Sequence, residues 1–385
     1  MKISNFGLII CLTPAINFIK NNCRILVAFF FTILGLYLRF KRLAGRELWT
    51  DEIWQLAQTK GAFKPIWHRI NVTDFTSFPG VYLLNYPFVN LFGTDKWAIN
   101  IPNYIVAFLS FYFLYLICQK YLKTFWGFFV AFLLLCFNGN LIYYSFEFRP
   151  YAVLPTLSLG SFYFAGLIVS DWKKLSILKK VLVGLFFIFV IIYHVFGIMI
   201  VGLCLLYFLV VEANKRSYKE IIKEMSPFLL PTGILGVLLF IWYVSSTTWN
   251  DVQKGNWHPF DYYPNVTNDF VHFVRQVFCN LRGDKSHGQK YLELGIWFSF
   301  LLSKNNRFKL IGFFLLMIVL PITVILALAI YEKYWFLDRQ FIWVMSLYAF
   351  FLAWCWDSII VYLQEKEKNR DLINLIFRRQ QIGSR

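Results

Sequence analysis

The chain has 385 residues, of which 58% are hydrophobic and 21% aromatic, and a formal net charge of +17. A soluble domain of this length could not hide so much apolar surface, and continuous apolar runs rather than alternation exclude a membrane β-barrel. The basic excess sits in short clusters between apolar runs. It therefore reads as a topology signal and a partner for anionic lipid heads, not as a nucleic-acid surface.

Taken in order, the apolar runs predict an all-α, polytopic integral membrane protein of about ten spans, near 22–40, 97–117, 125–143, 150–169, 180–195, 197–211, 227–245, 289–302, 308–330 and 336–357. Residues 1–21 read as a leader or an interfacial helix. Segment 78–93 is apolar but short, with Pro79 and Pro87, and is placed along the membrane surface. The spans and loops form one domain over 1–360, followed by a cytoplasmic tail, 361–385.

Charge orders these segments. Stretches 1–24, 118–124, 170–180, 212–226, 303–309 and 358–385 carry 22 of the 38 Lys and Arg but, counting Asp357, 8 of the 21 Asp and Glu. The positive-inside rule makes that set cytoplasmic, with both termini inside a cell (inner or plasma) membrane. Long outer loops at 41–96 and 246–288, carrying juxtamembrane helices, then share the opposite face with short ones at 144–149 and 331–335. That face is periplasmic, extracellular or lumenal. Asn71 and Asn265 are glycosylation acceptors on it in a secretory membrane.

Two charged clusters stand on this outer face. The first, Trp49-Thr50-Asp51-Glu52, opens a predicted helix capped by Thr50, with Ile53, Trp54, Leu56, Ala57 and Phe63 as its apolar side. The second, Glu147-Phe148-Arg149-Pro150-Tyr151, closes one span and begins the next. Each has an ordinary reading: acids serving a helix start, and an arginine snorkelling beside a local glutamate. Together they form inward acids with a bidentate-capable cation, which suits chemistry on a hydroxyl and a phosphate. His194 ends the fifth span at the same depth, and Asp338-Arg339 begins the last one, where Arg339 could hold a lipid phosphate. The second long loop mixes aromatics with His258, His272, Arg275, Arg282 and His287, a composition that singles out none of them. The seven cysteines show no CxxC pair or disulfide framework, and the five histidines lack metal-ligand spacing. A divalent cation at Asp51 and Glu52 is compatible with hard-cation chemistry, though nothing in the sequence requires a cofactor.

LYLRFKRLAGRELWTDEIWQLAQ, FPGVYLLNYPFVNLFGTDKWAINIPN and LIYYSFEFRPYAVLPTLSLGSFYF together resemble the N-terminal module of the GT-C glycosyltransferases. The resemblance is strongest to glycosyltransferase family 39, the protein O-mannosyltransferase-like and aminoarabinose transferase-like group, and covers about residues 25 to 200. The HxxG of His194 and the DRQF around Arg339 are weaker echoes. It implies a GT-C-like fold and a hexosyl or pentosyl transferase. The sugar would move from a polyprenyl-phosphate donor to a protein, lipid or polysaccharide hydroxyl. It also implies Asp51 as catalytic base or acceptor-positioning acid with Glu52 beside it, a place near the site for Glu147 and Arg149, and phosphate contact for Arg339; Tyr151 and His194 are further substrate-binding candidates. The chain departs from the family pattern at Ser77-Phe78-Pro79-Gly80 and at Arg339-Gln340. A transporter or flippase of lipid-linked sugar would place ionisable groups near the midplane in repeated halves. A non-catalytic assembly subunit would keep the scaffold without turnover.

Overall fold

The computed structural model describes residues 6–61, 79–213, 217–245, 281, 288–303, 306–331 and 338–382. Among them the chain is all-helical. The helices are α1 (Phe6–Ala44), α2 (Thr50–Thr59), α3 (Pro79–Phe92), α4 (Ile101–Tyr121), α5 (Phe125–Phe137), α6 (Gly139–Tyr144) and α7 (Leu154–Asp171), then α8 (Ile177–Tyr193), α9 (Val195–Ala213), α10 (Tyr218–Ser245), α11 (Gly288–Leu302), α12 (Arg307–Phe313), α13 (Leu320–Tyr331) and α14 (Ile342–Ile382). A π-helical stretch, Phe314–Val319, joins α12 to α13 without a break.

Each segment assigned to a span is mainly helical where it is described, and among the described residues five helices have the length and apolarity to cross a membrane: Asn22–Ala44, Lys96–Tyr121, Val195–Glu212, Arg307–Ala327 and Arg339–Lys368. A sixth is added if the pair Lys219–Pro227 and Leu230–Leu239, bent by 70°, counts as one span. The rest fall short for physical reasons. Segment 125–143 breaks at Asn138, whose side chain caps α6 by accepting the Leu141 N–H at 3.0 Å. Helices α5, α8 and α11 have 13, 17 and 15 residues, below the roughly 20 that cross alone. Residues 6–21 are not separate from the first span; α1 runs through both.

Helix α7 is the hub. It packs on α4, α9 and α14, and α14 also packs on α5 and α11. The core between them is aromatic: Phe162 of α7 lies within 6 Å of the rings of Tyr207, Phe208, Phe313 and Phe350. A polar pin sets the register of α7 on α14. Ser158 donates to the Trp343 carbonyl at 2.8 Å and lies 2.9 Å from the Ser346 hydroxyl.

The basic segments meet at one end of the bundle. Arg24 donates to the Lys123 carbonyl at 2.6 Å, Lys120 lies 3.6 Å from Asp171, and Lys173 lies 2.7 Å from Glu224. Tyr207 reaches the Lys309 carbonyl at the same level. Buried Asp357 closes this end by accepting the N–H groups of Lys123 and Thr124, at 2.9 and 2.7 Å, and the Thr124 hydroxyl at 2.6 Å. A carboxylate at the start of α5 complements the helix dipole. The two acidic-basic clusters lie at the opposite ends of α1 and α4, some 17 residues or about 26 Å away.

The second long loop apart from residue 281 and the start of α11, Asn71, Asn265, the 332–337 loop and the Asp338 side chain lie outside the described residues, as do the histidines and arginines named in that loop. The five cysteines with described side chains are all free.

Replacing Asp357 by Ala leaves two backbone N–H groups and a hydroxyl unpaired in a buried site. The expected loss is about 2 kcal/mol or more, read as a lower thermal midpoint of the reconstituted protein, whereas Asn should lose less.

Candidate functional site

Helix α2 begins one residue earlier than the sequence suggests. Thr50 is inside it, and Trp49 holds the extended cap position. Trp49 has no side-chain acceptor, so Glu52 reaches back instead and takes the Trp49 N–H at 3.2 Å. The same oxygen meets Arg46 at 2.6 Å, and the other accepts the Phe148 N–H at 2.6 Å. Glu52 is fully buried with both oxygens engaged. It fastens the start of α2 to the turn that carries the second cluster.

The buried face of α2 is its polar one, Glu52, Gln55 and Thr59, while Ile53 and Trp54 are exposed. This inverts the pattern of a water-soluble helix and fits a helix whose outer surroundings are apolar. Of the expected apolar side, Ile53 and Trp54 face outward, as a membrane-facing side should, whereas Leu56 packs against Val89, Ile99 and Phe148; Phe63 lies outside the described residues. Helix α3 is docked rather than merely laid on a surface. Val81, Tyr82, Asn85 and Val89 are buried, and a Cβ on Gly80 would lie 2.6 Å from the Tyr193 Cα at the end of α8.

Residues 145–149 form a turn between α6 and the 3-10 turn Pro150–Ala152. Glu147 is held at both backbone groups: its N–H donates to Tyr144 O, and its carbonyl accepts from Asn103 Nδ2, each at 3.2 Å. Phe148 is buried with Val89 and Ile99. Arg149 Nη1 donates to Gln55 Oε1 at 3.3 Å, a second tie to α2. The Glu147 side chain behaves differently from that of Glu52. It is 3% exposed, and its Oε2 has no hydrogen-bond partner among the described residues. Burial pushes its carboxyl up to about 7, against Arg339, Arg46 and Arg149 and with the help of Glu52.

Arg339 projects from the 3-10 turn Asp338–Phe341 at the start of α14. Its guanidinium lies between two aromatic faces, 5.2 Å from the Trp49 ring and 5.0 Å from the Tyr151 ring. Its Nη2 is 4.0 Å from Asp51 Oδ2, and the Asp51 side chain is 42% exposed. The acid pair of the sequence thus splits: Glu52 is committed to structure, and Asp51 is accessible beside a cation.

His194 is the single residue between α8 and α9. Such a tight reversal needs Gly197, where any Cβ would collide with the Val190 carbonyl. Nδ1 of His194 accepts the Phe196 N–H at 3.2 Å, which leaves the proton on Nε2. The ring lies 6.2 Å from that of Tyr151. All seven residues expected at the site from the sequence, Asp51, Glu52, Glu147, Arg149, Tyr151, His194 and Arg339, therefore lie in one connected cluster.

Sequence reasoning passed over Gln55, Arg46, Asn103 and Trp343. Gln55 was the most accessible of these, because it sits three residues after Glu52 on the same helix face. Gln55 Nε2, Arg149 Nε, Arg339 Nε and Trp343 Nε1 are buried donors without hydrogen-bond partners among the described residues, and the acceptors Glu147 Oε2 and Gln58 Oε1 are in the same condition. A surplus of N–H groups around two guanidiniums suits an oxyanion. Among the described residues no group of three or more His, Cys, Asp and Glu is placed to hold a metal ion. No family model and no curated protein sequence matches the chain.

The raised Glu147 carboxyl sets a pH dependence. Its folded value of about 7 exceeds the ordinary 4.5, so the folded state binds the proton more tightly. The stabilisation is complete below about 4.5 and is lost as pH rises through about 7. Thermal midpoints across that window should fall for the native chain and stay flatter for Glu147→Gln. Equal slopes would show that this carboxyl does not titrate there.

Proposed function

We propose that the chain is a membrane glycosyltransferase. It moves a sugar from a polyprenyl-phosphate donor to an acceptor hydroxyl, with inversion, on the membrane face that carries the long loops. The carrying observation is the accessible Asp51 carboxylate 4.0 Å from the aromatic-clamped Arg339, beside the unpartnered donors of Gln55 and Arg149.

Each part of that arrangement suits one requirement of a single displacement. A base must reach the acceptor hydroxyl and take its proton as the new bond forms; Asp51 has the exposure to meet an incoming chain. Negative charge gathers on the departing phosphate, and Arg339 and Arg149 supply fixed positive charge with free N–H groups to receive it. Tyr151 and His194 line the side of the cluster toward α8 and α9, and they offer an aromatic face and an N–H to a sugar ring. Glu52 acts at one remove, by holding α2 against the turn that bears Arg149. The apolar helices around the cluster suit a prenyl tail.

The test supplies labelled polyprenyl-phosphate sugars to the reconstituted protein. Asp51→Asn should slow transfer by about a hundredfold or more, the usual worth of a positioned base. Arg339→Lys should lose activity as well, because an ammonium cannot reproduce a planar fork held between two rings. Both variants should keep the native thermal midpoint. Transfer by Asp51→Asn at the native rate would overturn the assignment of the base. Absence of transfer from every such donor by the native chain would favour an assembly role instead.

A further inference from the structure

The cluster holds two buried carboxyl groups in opposite states. Glu52 accepts from Arg46, the Trp49 N–H and the Phe148 N–H. Glu147 is equally buried, its backbone is pinned by Tyr144 and Asn103, and its Oε2 accepts nothing among the described residues. A carboxyl denied hydrogen bonds in a buried place holds its proton more tightly. The charged groups that act on Glu147 come from every side: Glu52 from α2, Arg46 from the segment before it, Arg149 from its own turn, and Arg339 from the start of α14. Arg149 and Arg339 are also two of the residues that carry unpartnered donors among the described residues.

We propose that Glu147 is the acid of the reaction. In its neutral form it donates a hydrogen bond to a non-bridging oxygen of the donor's phosphate, and it passes its proton to that phosphate as the sugar leaves. The proposal rests on the polyprenyl-phosphate reading above.

The step balances. The acceptor oxygen forms its bond to the anomeric carbon while the bond from that carbon to the phosphate oxygen breaks. The electron pair of the broken bond stays on the phosphate. The acceptor's proton goes to Asp51, and Glu147's proton goes to the phosphate. Asp51 then releases a proton to water and Glu147 regains one, so the net transfer is from hydroxyl to phosphate. Without this proton the product would leave as a dianion from a pocket that already holds two carboxyl groups. An incoming phosphate also neutralises Arg149 and Arg339, the cations that oppose protonation of Glu147. Binding should therefore draw a proton in.

The probe is farnesyl methyl phosphate, a phosphodiester with one permanent charge and no titration of its own near neutrality. It is titrated calorimetrically into the full chain in nanodiscs at about pH 8, in buffers of differing ionisation enthalpy, where a group titrating near neutrality is mostly deprotonated before binding. The native protein should take up about one proton per molecule bound, and its affinity should fall by up to about tenfold per pH unit above that. Glu147→Gln can still donate a hydrogen bond but has no proton to exchange. It should bind with no uptake and a flat pH profile. Equal uptake in both proteins would assign the proton to another group, and binding without uptake by the native chain would overturn the acid while leaving the phosphate reading intact. Failure of the native chain to bind the probe would overturn both. Should the Gln variant not fold, Glu147→Asp serves in its place: its uptake should persist with a shifted pH midpoint, and an unchanged midpoint would count against the proposal.

Discussion

A buried carboxylate that is fully hydrogen-bonded, Glu52, is the constraint on which the rest of the site depends. Helix α2 has 10 residues, too few to persist alone, so its place is set by tertiary ties. Two of them run to one turn, Glu52 to the Phe148 N–H and Gln55 to Arg149. Through these the segment after α1 carries Asp51 to Arg339, and Trp49 to the same guanidinium. The tie works because every acceptor site on Glu52 that matters is filled. A glutamate in the same place without Arg46 and two backbone N–H groups would be an uncompensated buried charge.

Helix α14 connects this site to the far end of the bundle. Arg339 stands just before its start and Asp357 lies 18 residues later, about 27 Å away, capping α5. Between them Ser346 is pinned to Ser158 of α7, the helix that follows Arg149 and Tyr151. One helix is thus fixed near its middle at Asp357, registered one side of that at Ser346, and preceded by Arg339. The separation of basic residues from the acidic-arginine cluster follows the same axis.

Much of the site was legible from residue order alone. Charged groups between apolar runs are expensive, so Asp51, Glu52, Glu147, Arg149 and Arg339 stood out, and charge bias placed them together. What the sequence could not express was the division of labour. Asp51 and Glu52 are adjacent, but adjacent residues on a helix point about 100° apart, so one turns into the fold and the other outward. Gln55 carries no charge, and its only signal was its place one turn after Glu52 on the buried face of α2. Apolarity shows that a segment is surrounded by nonpolar matter and not by what: α5, α8 and α11 are apolar yet shorter than a lone span needs. The apolar side of α2 suits a membrane surface, as its residues suggest; what they did not announce is that the bundle takes the polar side.

The clamp on Arg339 has a thermodynamic consequence. A free arginine side chain holds about 2 kcal/mol of rotamer entropy, which a ligand must overcome when it fixes the guanidinium. Here the rings of Trp49 and Tyr151 already confine that plane before any anion arrives. The ordering is completed during folding, so an oxyanion bound there would meet donors whose direction is set, and its association would be favoured by the freedom it does not have to remove.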